Sequence, residues 1–355
     1  MRKKVPAWIK GRDAVADLLN ADPTDIVLVP NVTTAISTIL MSIPMKTGDT
    51  ILITNQAYAA TNNACAHILE HHQGVKTDVV KIAVPIKDAA EVVNIFRKAF
   101  DNDKNIRAVV IDYVACACTM ELPVTEIVQL CQKYNTISVI DGAHCPGQFP
   151  LDFDKIEADF FTGNFHKWMF APWGCAFMWK NKKVSFPLRS MMSSSAACDL
   201  VSQFCFQGTK DDSCYNCLPA VVEYFKSKGG IERISGHNTR LIQLASDYLI
   251  SLWNTGKLEI PESMEPPYLR MIRLPEINGV GTSEEDANSL MDILFLDYNI
   301  DTSLKSVQNQ LYVRLSAQIY NCLDDYKKFG EAILSLAEKN HTFHENGHTD
   351  KNGCF

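Results

Sequence analysis

The feature that most constrains the fold is a set of continuous apolar runs rich in β-branched residues. Three runs fall at residues 51–54, 108–114 and 137–143. Helical patterning covers stretches between and around them, at 59–71, 87–99 and 124–133. Runs without polar alternation are typical of strands that are covered on both faces, and their alternation with helices predicts a mostly parallel sheet between helices. Ligands of such sheets collect at the carboxyl ends of strands, where Asp112 and Asp141 stand.

The second half of the chain predicts a smaller α/β unit. Its predicted strands lie near 268–273 and 310–316, and its predicted helices lie near 283–296 and 323–339. Two helices precede them, at about 215–226 and about 231–254. A Lys-Gly-Gly stop at 228–230 separates the first of these helices from the next. We therefore predict a large domain over residues 1–228, a small C-terminal domain over 229–340, and a polar, disordered tail over 341–355.

Composition narrows the classes of partner. The chain has 355 residues, of which 46% are hydrophobic and 21% charged, so it can bury a large core. Its net charge of −7 argues against nucleic acid or an anionic membrane as a partner. No apolar run reaches the length of a membrane span, and the N-terminus lacks the apolar stretch of a signal peptide. These features predict a soluble, cytoplasmic protein.

The twelve cysteines predict free thiols. Cys214 and Cys217 form a lone CxxC pair, and no second pair stands at the spacing that a zinc site needs. A chain of this size does not need disulfides to hold its fold. We therefore expect no structural metal.

An acid, a histidine and a lysine stand in the order of a pyridoxal phosphate (PLP) site. Asp141 ends an apolar run, His144 lies three residues on, and Lys167 lies 26 residues beyond the aspartate. A lysine can form a Schiff base with the aldehyde of the cofactor, and a carboxylate beside the pyridine nitrogen keeps the ring protonated. His144 stands where a donor could reach the phenolic oxygen of the ring.

Each chemical interpretation has a plainer alternative. Asp141 could cap a turn, although a buried carboxylate needs a partner. Lys167 could extend to solvent from a domain edge, whereas its aromatic neighbours favour a desolvated amine with a lowered pKa. Arg314, inside an apolar strand pattern, either binds a substrate carboxylate or pairs with an internal acid.

A second candidate site opens the helix that follows the first apolar strand. Asn31-Val32-Thr33-Thr34 offers hydroxyls and backbone N–H groups to a phosphate, although it could equally be a simple N-cap. The chain contains no GxGxxG, GxxxxGK[ST], HExxH or GxSxG pattern. Nucleotide-binding, zinc-protease and serine-hydrolase interpretations therefore lose support.

Together these motifs resemble the class V aminotransferases, which have fold type I of the PLP enzymes. The similarity is greatest to the branch that contains isopenicillin N epimerase and hercynylcysteine sulfoxide lyase. It covers about residues 5–338 and rests on NVTTA, DGAHCPG, GNFHKW followed by APWG, QGTKD and YVRLSAQIYN. The resemblance implies a mostly parallel seven-stranded sheet between helices, a smaller C-terminal α/β domain and PLP as cofactor.

The resemblance also implies a role for individual residues. The residues implied to hold the cofactor phosphate are Val32, Thr33, Thr34, Asn164 and His166. Tyr58 would stack on the ring, and Arg314 would bind the substrate α-carboxylate. Thr209 would reach the phosphate of the neighbouring subunit, which implies a homodimer. Lys167 would be the catalytic lysine, with Asp141 at the pyridine nitrogen and His144 at the phenolic oxygen.

The implied activity is removal of the α-proton from an amino acid or a cysteine conjugate. Epimerisation, carbon–sulfur cleavage and amino transfer all remain open. A cysteine desulfurase would need a nucleophilic cysteine in the segment 283–310, which contains none. Relatives usually have further residues before the point where this chain begins, so we expect a shortened N-terminal segment. A catalytically inactive PLP-fold protein with a binding or scaffold role is therefore the alternative.

Overall fold

The computed structural model describes residues 4–193 and 199–338. The predicted tail over 341–355 lies outside these residues. The described chain divides into two units. The first comprises residues up to Thr239 together with Glu259–Leu269, and the second comprises Arg240–Leu258 and the residues from Arg270 onward. The domain limits proposed from the sequence stay a prediction.

The first unit is built on a seven-stranded sheet. The strands of this unit are, in chain order, β1 (Ile26–Val29), β2 (Thr50–Thr54), β3 (Lys76–Val80), β4 (Ile106–Asp112), β5 (Val114–Ala115), β6 (Met120–Glu121), β7 (Ile137–Asp141), β8 (Phe160–Asn164) and β9 (Ala176–Lys180). The sheet order is β1-β9-β8-β7-β4-β2-β3. The strands from β8 to β3 pair in parallel, and β9 is antiparallel to β1 and β8. The predicted mostly parallel sheet is therefore confirmed.

Two central strands end at an aspartate, before the apolar runs that predicted them come to an end. The apolar run at 108–114 ends as a strand at Asp112, and Val114–Ala115 pairs instead with Met120–Glu121 as a separate two-stranded ladder. Likewise the run at 137–143 ends at Asp141. Every residue of β7 is buried, as expected of a strand covered on both faces.

Helices cover this sheet and continue through the chain. They are α1 (Lys4–Leu18), α2 (Val32–Ser42), α3 (Ala59–His71), α4 (Ala89–Asn102), α5 (Val124–Lys133), α6 (Phe153–Ile156), α7 (Phe165–Trp168), α8 (Leu200–Cys205), α9 (Ser213–Asn216), α10 (Leu218–Ser227), α11 (Gly230–Trp253), α12 (Glu284–Tyr298) and α13 (Leu323–Glu338). Short 3-10 turns occur at Pro23–Asp25 and Glu262–Met264. No helix in the described ranges has both the length and the apolar character that crossing a membrane requires.

Local chemistry explains where helices depart from the sequence pattern. The helix predicted at 87–99 begins later, because the Asp88 side chain caps it by accepting the Glu91 N–H. The helix predicted at 215–226 is divided into α9 and α10. Pro219 lies in the first turn of α10, where its missing N–H leaves no helical bond unmade.

The second unit holds a three-stranded sheet. Its strands are β10 (Leu269–Arg273), β11 (Leu304–Val307) and β12 (Gln310–Ser316), in the order β10-β12-β11. Strand β11 was not predicted, because it is short and half polar. It pairs antiparallel with β12, and a turn at Gln308 and Asn309 joins the two strands. These turn residues have positive φ values of 49° and 59°. A two-residue turn of this kind matches the twist of a hairpin, but Gln-Asn is a weak sequence signal for it.

Candidate active site

Two carboxyl groups lie side by side at the carboxyl edge of the large sheet. Asp112 ends β4 and Asp141 ends β7, and the register pairs these residues directly. Asp112 is 4% exposed and Asp141 is 6% exposed. Burial raises the pKa of both groups, and the neighbouring Asp141 charge raises the pKa of Asp112 further. Because two adjacent buried carboxylates repel each other, the pair shares one proton, which we assign to Asp112.

Backbone donors hold the pair in place. The Asp141 Oδ1 accepts the N–H of Ala143 at 3.0 Å. Asp112 accepts the backbone N–H of Tyr58 at the start of α3. When it is protonated, Lys167 lowers the pKa of both carboxyls, so the proton on the lysine is linked to the protons on the pair. Because the shared proton is assigned to Asp112, Asp141 is the ionised member of the pair.

The lysine lies against a histidine that is fixed by an indole. Lys167 Nζ is 3.0 Å from His144 Nε2, and Trp168 Nε1 is 3.3 Å from His144 Nδ1. An indole N–H can only donate, so Nδ1 accepts from Trp168 and Nε2 then carries the ring proton. A protonated Nε2 donates to Lys167 only if the amine is neutral. This tautomer, assigned from the hydrogen bonds, therefore matches an amine that is ready to act as nucleophile or base.

The aromatic residues around Lys167 do not bury it. Phe165 and Trp168 are buried, whereas the side chain of Lys167 is exposed. The expectation of a desolvated lysine is therefore wrong. The reason is helical geometry, because α7 points neighbouring residues in different directions and turns its aromatic side chains to the core. Exposure leaves the amine accessible to a cofactor aldehyde.

The predicted phosphate residues meet where α2 begins. Asn31 accepts the N–H of Thr34 at 2.8 Å and its hydroxyl at 3.0 Å. The N–H of Val32 donates to Asn164 Oδ1 at 3.1 Å, which ties the end of β8 to the helix start. Because Oδ1 is engaged, the Asn164 amide nitrogen is the atom that can donate to an anion. Thr33 lies between these bonds with an exposed side chain.

His166 is held by the backbone of a cysteine. Its Nδ1 is 2.9 Å from the Cys175 carbonyl oxygen and 3.3 Å from the Cys175 N–H. Burial lowers the pKa of His166, which favours the neutral ring. Donation to a phosphate through Nε2 then requires the tautomer in which Nδ1 accepts the Cys175 N–H. The predicted phosphate contact of His166 stays a prediction.

The other three predicted residues lie in different places. Tyr58 stands at the N-cap of α3 and is 51% exposed, so its ring face can stack on a ligand. Thr209 is exposed on the segment between α8 and α9. Arg314 is half-buried on β12 of the second unit. The structure thus brings together the carboxylate, lysine, histidine and helix-start residues, while the roles of these three stay predictions.

The residues present fit PLP. A carboxylate as buried as Asp141 needs a cationic or strongly donating partner, and a protonated pyridine nitrogen is one. Lys167 offers an accessible amine for the aldehyde. The start of α2 offers the exposed hydroxyl of Thr33 and, beside it, the amide nitrogen of Asn164 for the phosphate. Together these groups match the three polar parts of the cofactor.

Sequence reasoning missed two residues that shape this site and gave a third no role. Asp112 was placed at a strand end like Asp141, but its pairing with Asp141 was not predicted. Trp168 orients His144, and Cys175 orients His166. Neither contact has a sequence signal, because the first depends on how α7 packs against the loop after β7 and the second on how β9 pairs with β8.

Comparisons with known proteins agree with this geometry. The family model "Aminotransferase class-V" matches residues 6–267. The chain is 29% identical to putative L-cysteine desulfhydrase 1 of Oryza sativa subsp. japonica, over 93% of this chain and 75% of that protein. It is 25% identical to hercynylcysteine sulfoxide lyase of Schizosaccharomyces pombe, over 91% of this chain and 82% of that protein.

Solved structures support the fold. The complex of the cystine C–S lyase C-DES with its reaction product cysteine persulfide superposes with a TM-score of 0.73 at 18% identity, over 94% of this chain and 87% of that one. At this identity the match shows fold type I alone. The family model covers most of the chain and the predicted architecture is present. The chain therefore belongs to the class V aminotransferase family, and it is an enzyme that uses pyridoxal 5'-phosphate.

Proposed function

We propose that this protein is a carbon–sulfur lyase that acts on L-cysteine or a closely related cysteine conjugate. The observation that carries the proposal is the contact between Lys167 Nζ and His144 Nε2 at 3.0 Å, beside the buried Asp141. This arrangement places the amine of Lys167, which can give up or accept a proton, next to the His144 imidazole and beside the carboxylate that would face the cofactor ring. The net reaction converts L-cysteine and one water into hydrogen sulfide, pyruvate and ammonium, so no oxidant is needed.

Lys167 would move the α-proton. Its amine accepts the proton when neutral, and the protonated Nε2 of His144 favours that neutral form. When bound, PLP supplies the electron sink that makes the α-proton acidic. The exposure of Lys167 leaves room for an amino-acid substrate in front of it. Loss of the β-sulfur group then follows removal of the proton.

Asp141 would keep the ring nitrogen protonated, and Asp112 would limit the negative charge behind it. Burial makes the charge of Asp141 costly unless a cation faces it. Since Asp112 retains the shared proton, the pair presents one negative charge rather than two. That charge balances one pyridinium, which is the electrostatic requirement of the proposed chemistry.

The remaining assignments belong to the same proposal. Asn164 and the start of α2 would hold the phosphate, Tyr58 would stack on the ring, and Arg314 would bind the α-carboxylate. Thr209 would complete the site of a second subunit in a homodimer. We also propose the cytoplasm as the place of action, as the composition predicts.

Three observations favour a lyase on cysteine over its rivals. Several relatives of 28–29% identity that align over 93% of this chain are named L-cysteine desulfhydrases. The similarity to isopenicillin N epimerase covers 50% of the chain. The segment 283–310 has no cysteine to receive sulfur, which weighs against a desulfurase.

The test is to supply the purified, PLP-loaded protein with L-cysteine and to quantify every product. Equal amounts of sulfide and pyruvate support the proposal. Alanine in place of pyruvate would indicate a desulfurase, and conversion to D-cysteine without sulfide would indicate an epimerase. A protein that binds PLP but gives no product from cysteine or its conjugates would favour the binding or scaffold role.

The lysine assignment is tested with a matched pair of variants. Lys167→Ala should abolish product formation and the visible absorbance that borohydride removes from the wild-type protein. Lys183→Ala, on an exposed lysine that pairs with Glu157, should leave both unchanged. Borohydride labelling of a lysine other than Lys167 would overturn the assignment.

A further inference from the structure

The last turn of α3 carries two histidines and a glutamate that converge. His67, Glu70 and His71 are spaced i, i+3 and i+4, so they share one face of the helix. One ligand atom from each lies within 4.8 Å of the others. In the described part of the chain, no other group of three histidine, cysteine or acidic side chains converges this closely.

The spacing of these atoms matches that of metal ligands. Two ligands that each lie about 2.1 Å from a tetrahedral ion are about 3.4 Å apart. His67 Nδ1 and Glu70 Oε2 are 3.5 Å apart. The rings of His67 and His71 meet edge to face with centroids 4.5 Å apart, and a nitrogen of each ring lies within 4.8 Å of the other. Small side-chain rotations at an exposed helix surface would close the remaining gap.

The position along the helix also favours a cation. Helix α3 ends at His71, so its last carbonyl groups place partial negative charge beside the cluster. Glu70 adds a full negative charge. Neither side-chain burial nor a competing interior contact has to be overcome, since all three side chains are exposed.

We propose that His67, Glu70 and His71 form a binding site for one divalent transition-metal ion. Two imidazoles and one carboxylate select zinc, nickel or copper over magnesium and calcium, which prefer oxygen ligands. Three protein ligands leave a coordination position for water or another molecule. The cluster stands apart from Tyr58, because its residues lie about 14 to 20 Å further along the axis of α3.

The experiment measures Zn²⁺ bound by the PLP-loaded full-length protein in equilibrium dialysis. His67→Ala, His71→Ala and Glu70→Gln should each lower the affinity for one Zn²⁺ ion by about tenfold or more. Loss of even an outer-shell partner of a metal ligand lowers metal affinity by about tenfold to a hundredfold. His72→Ala is the matched control, since His72 follows α3 but lies outside the cluster. It should bind zinc like the wild-type protein.

Thermal unfolding provides a second readout, in which the comparison between variants separates this cluster from other zinc-binding groups. Zn²⁺ should raise the Tm of the wild-type protein and of His72→Ala by mass action, and it should raise the Tm of His71→Ala less. Equal zinc affinity and equal Tm shifts in all four variants would overturn the proposal. That result would leave the close contact between His67 and Glu70 as the whole interaction.

Discussion

Asp112 and Asp141 end neighbouring parallel strands after similar apolar runs, and the register places them side by side. Their surroundings differ. Asp141 accepts the backbone N–H of Ala143, two residues ahead, whereas Asp112 accepts the N–H of Tyr58 at the start of α3. Burial raises both pKa values, but only Asp112 has the charge of the other carboxyl as a second cause. Identical residues at equivalent strand ends thus become an ionised group and a protonated one.

The comparison bears on function because only the ionised member can support a cationic ring. A neutral amide should replace Asp112 with little loss, whereas it should not replace Asp141. The four predictions below test this division of roles, beginning with the largest expected effect.

Asp141→Asn should weaken PLP binding by about 3 kcal/mol or more, which is a factor of about 100, because the cationic ring nitrogen loses its buried partner. Sulfide production should fall further, since an unprotonated ring is a poor electron sink. Titration of the cofactor-free protein with PLP, followed by visible absorbance, measures the binding. Affinity and turnover equal to those of wild type would make Asp141 a purely structural residue.

His144→Gln should lower turnover by about a hundredfold, which is the scale of a positioned acid–base group. The amine of Lys167 would lose the imidazole N–H that favours its neutral form. The acidic limb of the pH–rate profile should therefore move to higher pH. An unchanged profile would mean that the carboxyl pair alone controls the protonation of Lys167.

Asp112→Asn should change PLP affinity and turnover by less than about tenfold, because the amide resembles the protonated acid. Its clearer effect is on stability. The pKa of Asp112 is raised in the folded protein, so the protonated carboxyl stabilises wild type. This stabilisation is complete below the unfolded pKa of about 3.9, and it is lost as the pH rises through the folded pKa.

The variant has no such loss. Its free energy of unfolding, relative to that of wild type, should therefore increase as the pH rises from about 4 through the raised folded pKa of Asp112. Urea unfolding of both cofactor-free proteins across this range measures the difference. A difference that is constant with pH would show that Asp112 titrates normally and that the two carboxyls do not share a proton.

Trp168→Phe should have the smallest effect, about 1 kcal/mol or a fivefold loss of turnover, because it removes one hydrogen bond to His144 Nδ1 while retaining an aromatic ring. The pH–rate profile should shift in the same direction as that of His144→Gln, but less. A shift in the opposite direction would show that the indole does not fix the tautomer of His144.

Much of the fold could be predicted because it depends on local pattern. The continuous apolar runs marked the central strands, and helical periodicity placed α3 and α5 at residues 59–71 and 124–133. Strand β11 could not be predicted in this way, since four residues of mixed polarity become a strand only by pairing with β12. The order of strands in the sheet likewise depends on contacts between distant segments.

For the site, the sequence alone specified which chemical groups are present and in what order: a carboxylate at a strand end, a histidine, a lysine and a helix start rich in hydroxyls. These follow from residue identity and from local periodicity. The tertiary structure alone decided which of two equivalent aspartates is ionised and that the side chain of Lys167 is exposed. It also decided which atoms of His144 and Asn164 are left to contact a ligand. Those properties depend on burial and on hydrogen bonds between residues up to 132 positions apart, which no local pattern encodes.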